Sequence, residues 1–85
     1  MSDTLHLTLY RKWFDDIKRG IKLNEFRKAT DYWRKRLEGR TYKYIRFVNG
    51  YGKHRPYIVA EFDNVVLSGD TFVIRIGKIL EVGND

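Results

Sequence analysis

Three charged side chains fall within the segment Gly20-Ile-Lys22-Leu-Asn-Glu25-Phe-Arg27. A lysine there can hold a phosphate as a point charge, or act as a base when its pKa is lowered. A glutamate can accept an N–H from the edge of a nucleobase or orient the lysine. The plainer alternative is a surface Glu25–Arg27 ion pair, worth little. Geometry decides between them. In a regular strand, Ile21, Leu23, Glu25 and Arg27 share one face while Lys22, Asn24, Phe26 and Lys28 share the other. Lys22 and Glu25 then point apart, unless the strand begins irregularly just after Gly20 and a bulge turns both toward one cleft.

A second pattern interleaves rings with bases, in "DYWRKR", "YKYIRF" and "GYGKHR". Nucleic-acid sites combine cations for phosphates with flat rings for base stacking. A small domain also needs rings inside, so Trp13, Phe14, Phe26, Phe47, Phe62 and Phe72 are assigned to the core. Tyr51 differs, because it lies between two glycines in a basic loop with Lys53, His54 and Arg55. Tyr42 and Tyr44 share a strand face with Arg46 and can be half-buried with their hydroxyls at the surface. A lone loop histidine such as His54 reads as a member of a cation patch, and His6, out of phase with its neighbouring leucines, as exposed. Two isolated histidines without cysteine offer no zinc spacing, and no cofactor is implied. There is no Walker-type loop, and neither Ser2 nor Ser68 stands in a nucleophile elbow.

The frame that must position these groups is small. Eighty-five residues make one domain, which buries only about 60–65% of its unfolded surface. The absence of cysteine excludes disulfides and fits a reducing compartment. No secretory signal opens the chain, and no apolar run approaches the ~20 residues of a membrane span. A cytoplasmic protein with no membrane partner is expected. The net charge of +6 is unevenly spread. Residues 11 to 55 hold 15 Lys/Arg against 5 Asp/Glu, a net +10, and the remainder carries −4. Solubility does not require such segregation, whereas a face for a polyanion does.

Periodicity supplies the elements. "TLHLTLY" alternates as a half-buried strand. "RKWFDDIKRG" switches to helical spacing through Trp13, Phe14 and Ile17, closing at Gly20. "IKLNEFRK" returns to alternation. "ATDYWRKRLEG" is a second short helix, capped by Thr30 or Asp31. "TYKYIRFV" is a strand, "NGYGKHRP" a loop, "YIVAEFDNVVL" a long strand, "SGD" a tight turn, and "TFVIRIGKILEV" a last strand bent at Gly77. The order β-α-β-α-β-β-β predicts an α+β fold, a small β-barrel of about five strands with two short helices, closed so that few edges stay exposed.

The motif G-x-K-x-x-E-x-R, preceded by "WFDDIKRG" and followed by "DYWRKRL" and "FVNGYGK", resembles the ASCH domain, a relative of the PUA RNA-binding barrel. The likeness spans roughly residues 4 to 82 and is strongest to small ASCH proteins of bacteria and their phages. It implies a PUA-like barrel whose cleft, lined by the motif strand, binds RNA or a nucleotide. By this likeness Lys22 contacts phosphate or a reactive centre, Glu25 reads or orients, and Arg27 braces the cleft. The loop from Asn49 to Arg55 closes over it. With Lys28, Arg46, Tyr51, Lys53, His54 and Arg55, these residues form the expected nucleic-acid-binding set, and Lys22 and Glu25 are the catalytic candidates if there is catalysis.

Some ASCH relatives are amidohydrolases acting on acetylated cytidine, in which the motif lysine works with a threonine three residues on. Here Glu25 stands in that place, and only "SGD" joins the last two strands where the relatives carry a helical insertion. Acyl transfer therefore lacks a central part. A ribonuclease using Lys22 with Tyr51 or His54 is a further alternative, and a phage-encoded factor that occupies a host protein a third. The leading expectation is a non-catalytic RNA- or nucleotide-binding module. Oligomeric state is not legible.

Overall fold

The computed structural model describes residues 3–50 and 55–84. Its elements follow the expected order: β1 (Thr4–Leu9), α1 (Arg11–Lys18), β2 (Asn24–Lys28), α2 (Asp31–Leu37), β3 (Tyr44–Asn49), β4 (Pro56–Ser68) and β5 (Thr71–Asn84). All five strands join one sheet in the order β1-β3-β4-β5-β2. The β1–β3 pair is parallel, with Leu5 opposite Ile45 and Leu7 opposite Phe47. The other pairs are antiparallel. The fold is α+β, a curled half-barrel sheet with two short helices.

Curling comes from the two longest strands. Ala60 stands opposite Ile79, but Phe62 stands opposite Ile76, so the ladder slips where β4 and β5 bend. Slips of this kind raise local twist and bend a strand. Gly77 sits at the bend, where an added Cβ would lie 3.0 Å from the Glu61 Cβ and 3.1 Å from its carbonyl oxygen. A side chain at 77 would wedge the two strands apart. The bend lets β4 pair with β3 through its first half while β5 pairs with β2 through its own first half.

The inner face of the sheet holds the core. Leu5 and Leu7 of β1 line up with Ile45 and Phe47, then Ala60 and Ile58, and Leu9 with Phe72 and Ile74 of β5 joins the same buried cluster. Phe14 and Ile17, three apart on α1, and Leu37 of α2 close over them. Two expected core rings are elsewhere: Trp13 is 42% exposed and Phe26 51%. Aliphatic side chains with Phe14, Phe47 and Phe72 already fill the interior, and Phe62 packs at its margin.

The expected closed barrel is corrected to an open one. Among the described residues, the terminal strands β1 and β2 do not pair with each other, because each has its one ladder on the far side. A seam remains between them. Along β2 the inner-face row changes character: Glu25 lies opposite Ile74 and Arg27 opposite Phe72. The last strand thus delivers charge where the other four deliver hydrocarbon.

Candidate functional site

Lys22 reaches the seam through the chain reversal after α1. The helix ends at Lys18, and Gly20 takes φ +76°, a conformation that costs a side-chain-bearing residue about 1–2 kcal/mol. The Asp16 carbonyl then accepts from two successive amides, Ile21 N–H at 2.9 Å and Lys22 N–H at 3.1 Å. Regular strand begins only at Asn24. The expected strand over 21–28 is therefore shorter, and its irregular start has a defined cause. Ile21 and Leu23 do not share the buried face with Glu25; they are 62% and 64% exposed. Lys22 turns instead toward Glu25, with its Nζ 3.7 Å from Oε1. Gly20→Ala should lower unfolding free energy by about 1 kcal/mol, measured by urea denaturation, since nothing blocks the new methyl group in space.

Glu25 is the one charged side chain among the buried described residues, at 5% exposure. Its Oε1 accepts from the Phe26 N–H at 3.0 Å and faces Arg27 Nη1 at 3.4 Å as well as Lys22. Its Oε2 is buried and meets no hydrogen-bond donor. Leaving a buried acceptor unmet costs about 1–3 kcal/mol, more when it is charged. The stabilising contacts of Glu25 all go through Oε1, so Oε2 itself adds nothing to fold stability.

Arg27 spans the seam. It donates through Nη1 to the Phe26 carbonyl at 2.8 Å and through Nη2 to the Thr8 carbonyl of β1 at 3.4 Å. Phe26 therefore has both N–H and C=O met by side chains of its sequence neighbours, on the edge of β2 that no strand covers. Such covering protects an open edge from pairing with another chain. The Arg27 guanidinium also lies 5.2 Å from the Trp33 ring centre.

A cleft of about 260 Å³ opens at this point, lined by Thr8, Leu9, Tyr10, Trp13 and residues 25–27. Lys22 Nζ stands 5.1 Å from the Trp13 ring centre and 4.9 Å from that of Phe26. Two half-exposed rings thus flank a cation beside an unmet carboxylate oxygen. Chemically, the cleft offers flat apolar surface, the Arg27 cation and one acceptor, with the Lys22 cation held against its two rings. That set suits a planar group with an N–H donor attached to an anion. Among the described residues, no cluster of three His, Cys, Asp or Glu side chains is placed to hold a metal ion.

The other expected residues disperse. Lys28 is exposed at the end of β2, opposite Thr71. Arg46 lies in register between His6 and Val59 and stacks on Tyr57 at 4.6 Å, away from the cleft. Tyr42 precedes β3, so it does not share that strand's face with Tyr44; it donates to the Arg36 carbonyl at 2.6 Å. Arg55 donates to the Gly50 carbonyl at 3.1 Å and ties the base of its loop. Tyr51, Lys53 and His54 lie outside the described residues. Sequence reasoning missed Trp13, Phe26, Thr8 and Tyr10 as cleft-lining groups. One signal was present: if Glu25 and Arg27 face inward, period two sends Phe26 outward.

Fold and site together define a class: an open α+β half-barrel with a charged seam between its terminal strands. Compared with known proteins, the chain matches no family model, no curated protein and no solved structure. No helix among the described residues is long and apolar enough to cross a membrane.

Proposed function

We propose that this protein is an RNA- or nucleotide-binding module of the ASCH, PUA-like kind, which takes a nucleobase into the cleft at the seam. The observation that carries the reading is the buried carboxylate of Glu25, whose Oε2 is unmet while its Oε1 faces two cations, beside two half-exposed rings. An exocyclic amine of a base would satisfy that oxygen. Lys22 and Arg27 would meet acceptor atoms of the base or its phosphate, and Trp13 or Phe26 would stack on it. The cleft volume lies below the roughly 300–1,000 Å³ of ordinary small-molecule pockets, which fits one base better than a large ligand. The segregated +10 stretch supports a polyanionic partner, and the G-x-K-x-x-E-x-R likeness points the same way.

The test is fluorescence anisotropy with a labelled single-stranded RNA octamer at 50 mM salt. Binding should weaken steeply as salt rises. Trp13→Ala and Phe26→Ala should each reduce affinity about tenfold, the low end of 1–3 kcal/mol per stacked base. These side chains are half-exposed, so the fold should survive. No binding at low salt, or full affinity in both variants, would overturn the reading. Shortened RNA after incubation would replace it with a ribonuclease.

A further inference from the structure

A hollow larger than the cleft that holds Glu25 lies elsewhere on the molecule. It measures about 480 Å³ and lies beside the first half of β1, between Thr4 and His6 on one side and the end of α2 with the following loop on the other. Resting on the reading above, we propose that this hollow is a second subsite, which holds the backbone phosphate next to the nucleotide seated in the cleft. The protein would then recognise a single-stranded polynucleotide and not a lone nucleotide.

Charge is the first ground. Arg36 and Arg40 both line the hollow. Among the described residues, four ion pairs form, and neither arginine belongs to one. Arg34, on the same helix, is neutralised by Glu38 at 2.8 Å. Two guanidinium groups at one hollow repel each other, and an anion between them removes that cost. Arg36 is also held in place. Its guanidinium lies 3.4 Å from the Tyr32 ring centre, and Nη1 donates to the Tyr32 carbonyl at 3.0 Å. A cation fixed in this way loses less freedom on binding. Tyr42, donating to the Arg36 carbonyl, pins the loop that carries Arg40 against the helix end.

Continuity is the second ground. Thr4, His6 and Thr8 form the row of β1 that alternates with the buried leucines. Thr4 and His6 line the hollow, and Thr8 lines the cleft. His6 and Thr8 are about 7 Å apart along the strand, the scale of one nucleotide step on an extended chain. A line of contacts runs beside this row: Arg27 on Trp33, Trp33 edge-on to Tyr32 at 4.9 Å, and Tyr32 under Arg36. Two rings in edge contact thus join a cation at one subsite to a cation at the other, the combination of groups by which single strands are tracked.

The experiment compares oligouridylates of one, two, four and eight nucleotides on the wild type and on an Arg36→Gln/Arg40→Gln variant, at several salt concentrations. For the wild type, affinity should rise at least tenfold from one to four nucleotides. The variant should lose that gain, bind the mononucleotide as before, and show a salt slope shallower by about 0.7, the share of one phosphate on a single strand. Arg40→Glu, at an exposed loop position, should weaken the tetranucleotide further, with thermal unfolding confirming the fold. If RNA binds but the variant keeps the full length dependence and salt slope, the second subsite is wrong and the cleft reading stands. If the wild type binds neither mononucleotide nor oligonucleotide, both fall.

Discussion

Replacing Glu25 with alanine should cost about 3 kcal/mol of stability, a large part of what an 85-residue domain holds. The size follows from what remains. The side chains of Lys22 and Arg27 are only 15% and 18% exposed, and both face the same carboxylate oxygen. Without it, two cations stay close together, largely shielded from water, with no anion between them. The Phe26 N–H also loses its acceptor on an edge that no strand covers. Glu25→Gln keeps the volume and an acceptor oxygen, so its cost should be about half. For a domain of this size, 3 kcal/mol corresponds to a fall of roughly 15 °C in Tm. The loss should be nearly equal at low and high salt, because ions screen a shielded trio poorly, whereas exposed pairs fade. Equal stability of Glu25→Ala and wild type in urea would show that the trio is open to water, and the argument from its unmet oxygen would fail with it.

Much of this arrangement is legible in the chain, and the remainder fails for identifiable reasons. Period two placed Glu25 and Arg27 on one face, and they share it. Helical spacing identified α1 and α2, and Thr30 accepts the Trp33 N–H as the cap of α2. The turn of Lys22 toward Glu25 is legible only as a condition, because it depends on one carbonyl, that of Asp16, holding two amides beyond a left-handed glycine. Periodicity carries no trace of such a bond. The need of a small core for rings places Trp13 and Phe26 inside. In fact leucine and isoleucine from six elements do most of the filling, and these two rings are left to flank the cleft. The open seam was also hidden. Strand order depends on pairings such as β1 with β3 and β2 with β5, which join residues about 40 to 50 positions apart, and local patterns do not encode them.

Arg27 provides the sharpest test of the seam, because its contacts differ in what they demand. A single side chain serves the Phe26 carbonyl, Glu25 Oε1, the Thr8 carbonyl across the gap and the Trp33 ring. Only a planar fork with several donors meets these in one conformation; an ammonium is a point charge. Arg27→Ala should therefore cost about 2–3 kcal/mol, near the value for one partner removed from a partly buried pair. Arg27→Lys should restore less than half of that. Both variants should speed amide exchange in β1 and β2, the strands that the guanidinium bridges, and leave the centre of the sheet protected. RNA affinity should fall about tenfold or more in each, since the bracing of the cleft and one of its cations are lost together. A cycle with Glu25→Gln should give a coupling of about 1–3 kcal/mol. If lysine restored both stability and affinity in full, Arg27 would act only as a positive charge near Glu25. The seam would then have to be held by the packing of α1 and α2 alone, and a nucleotide in the cleft would meet a general electrostatic field in place of a fixed donor.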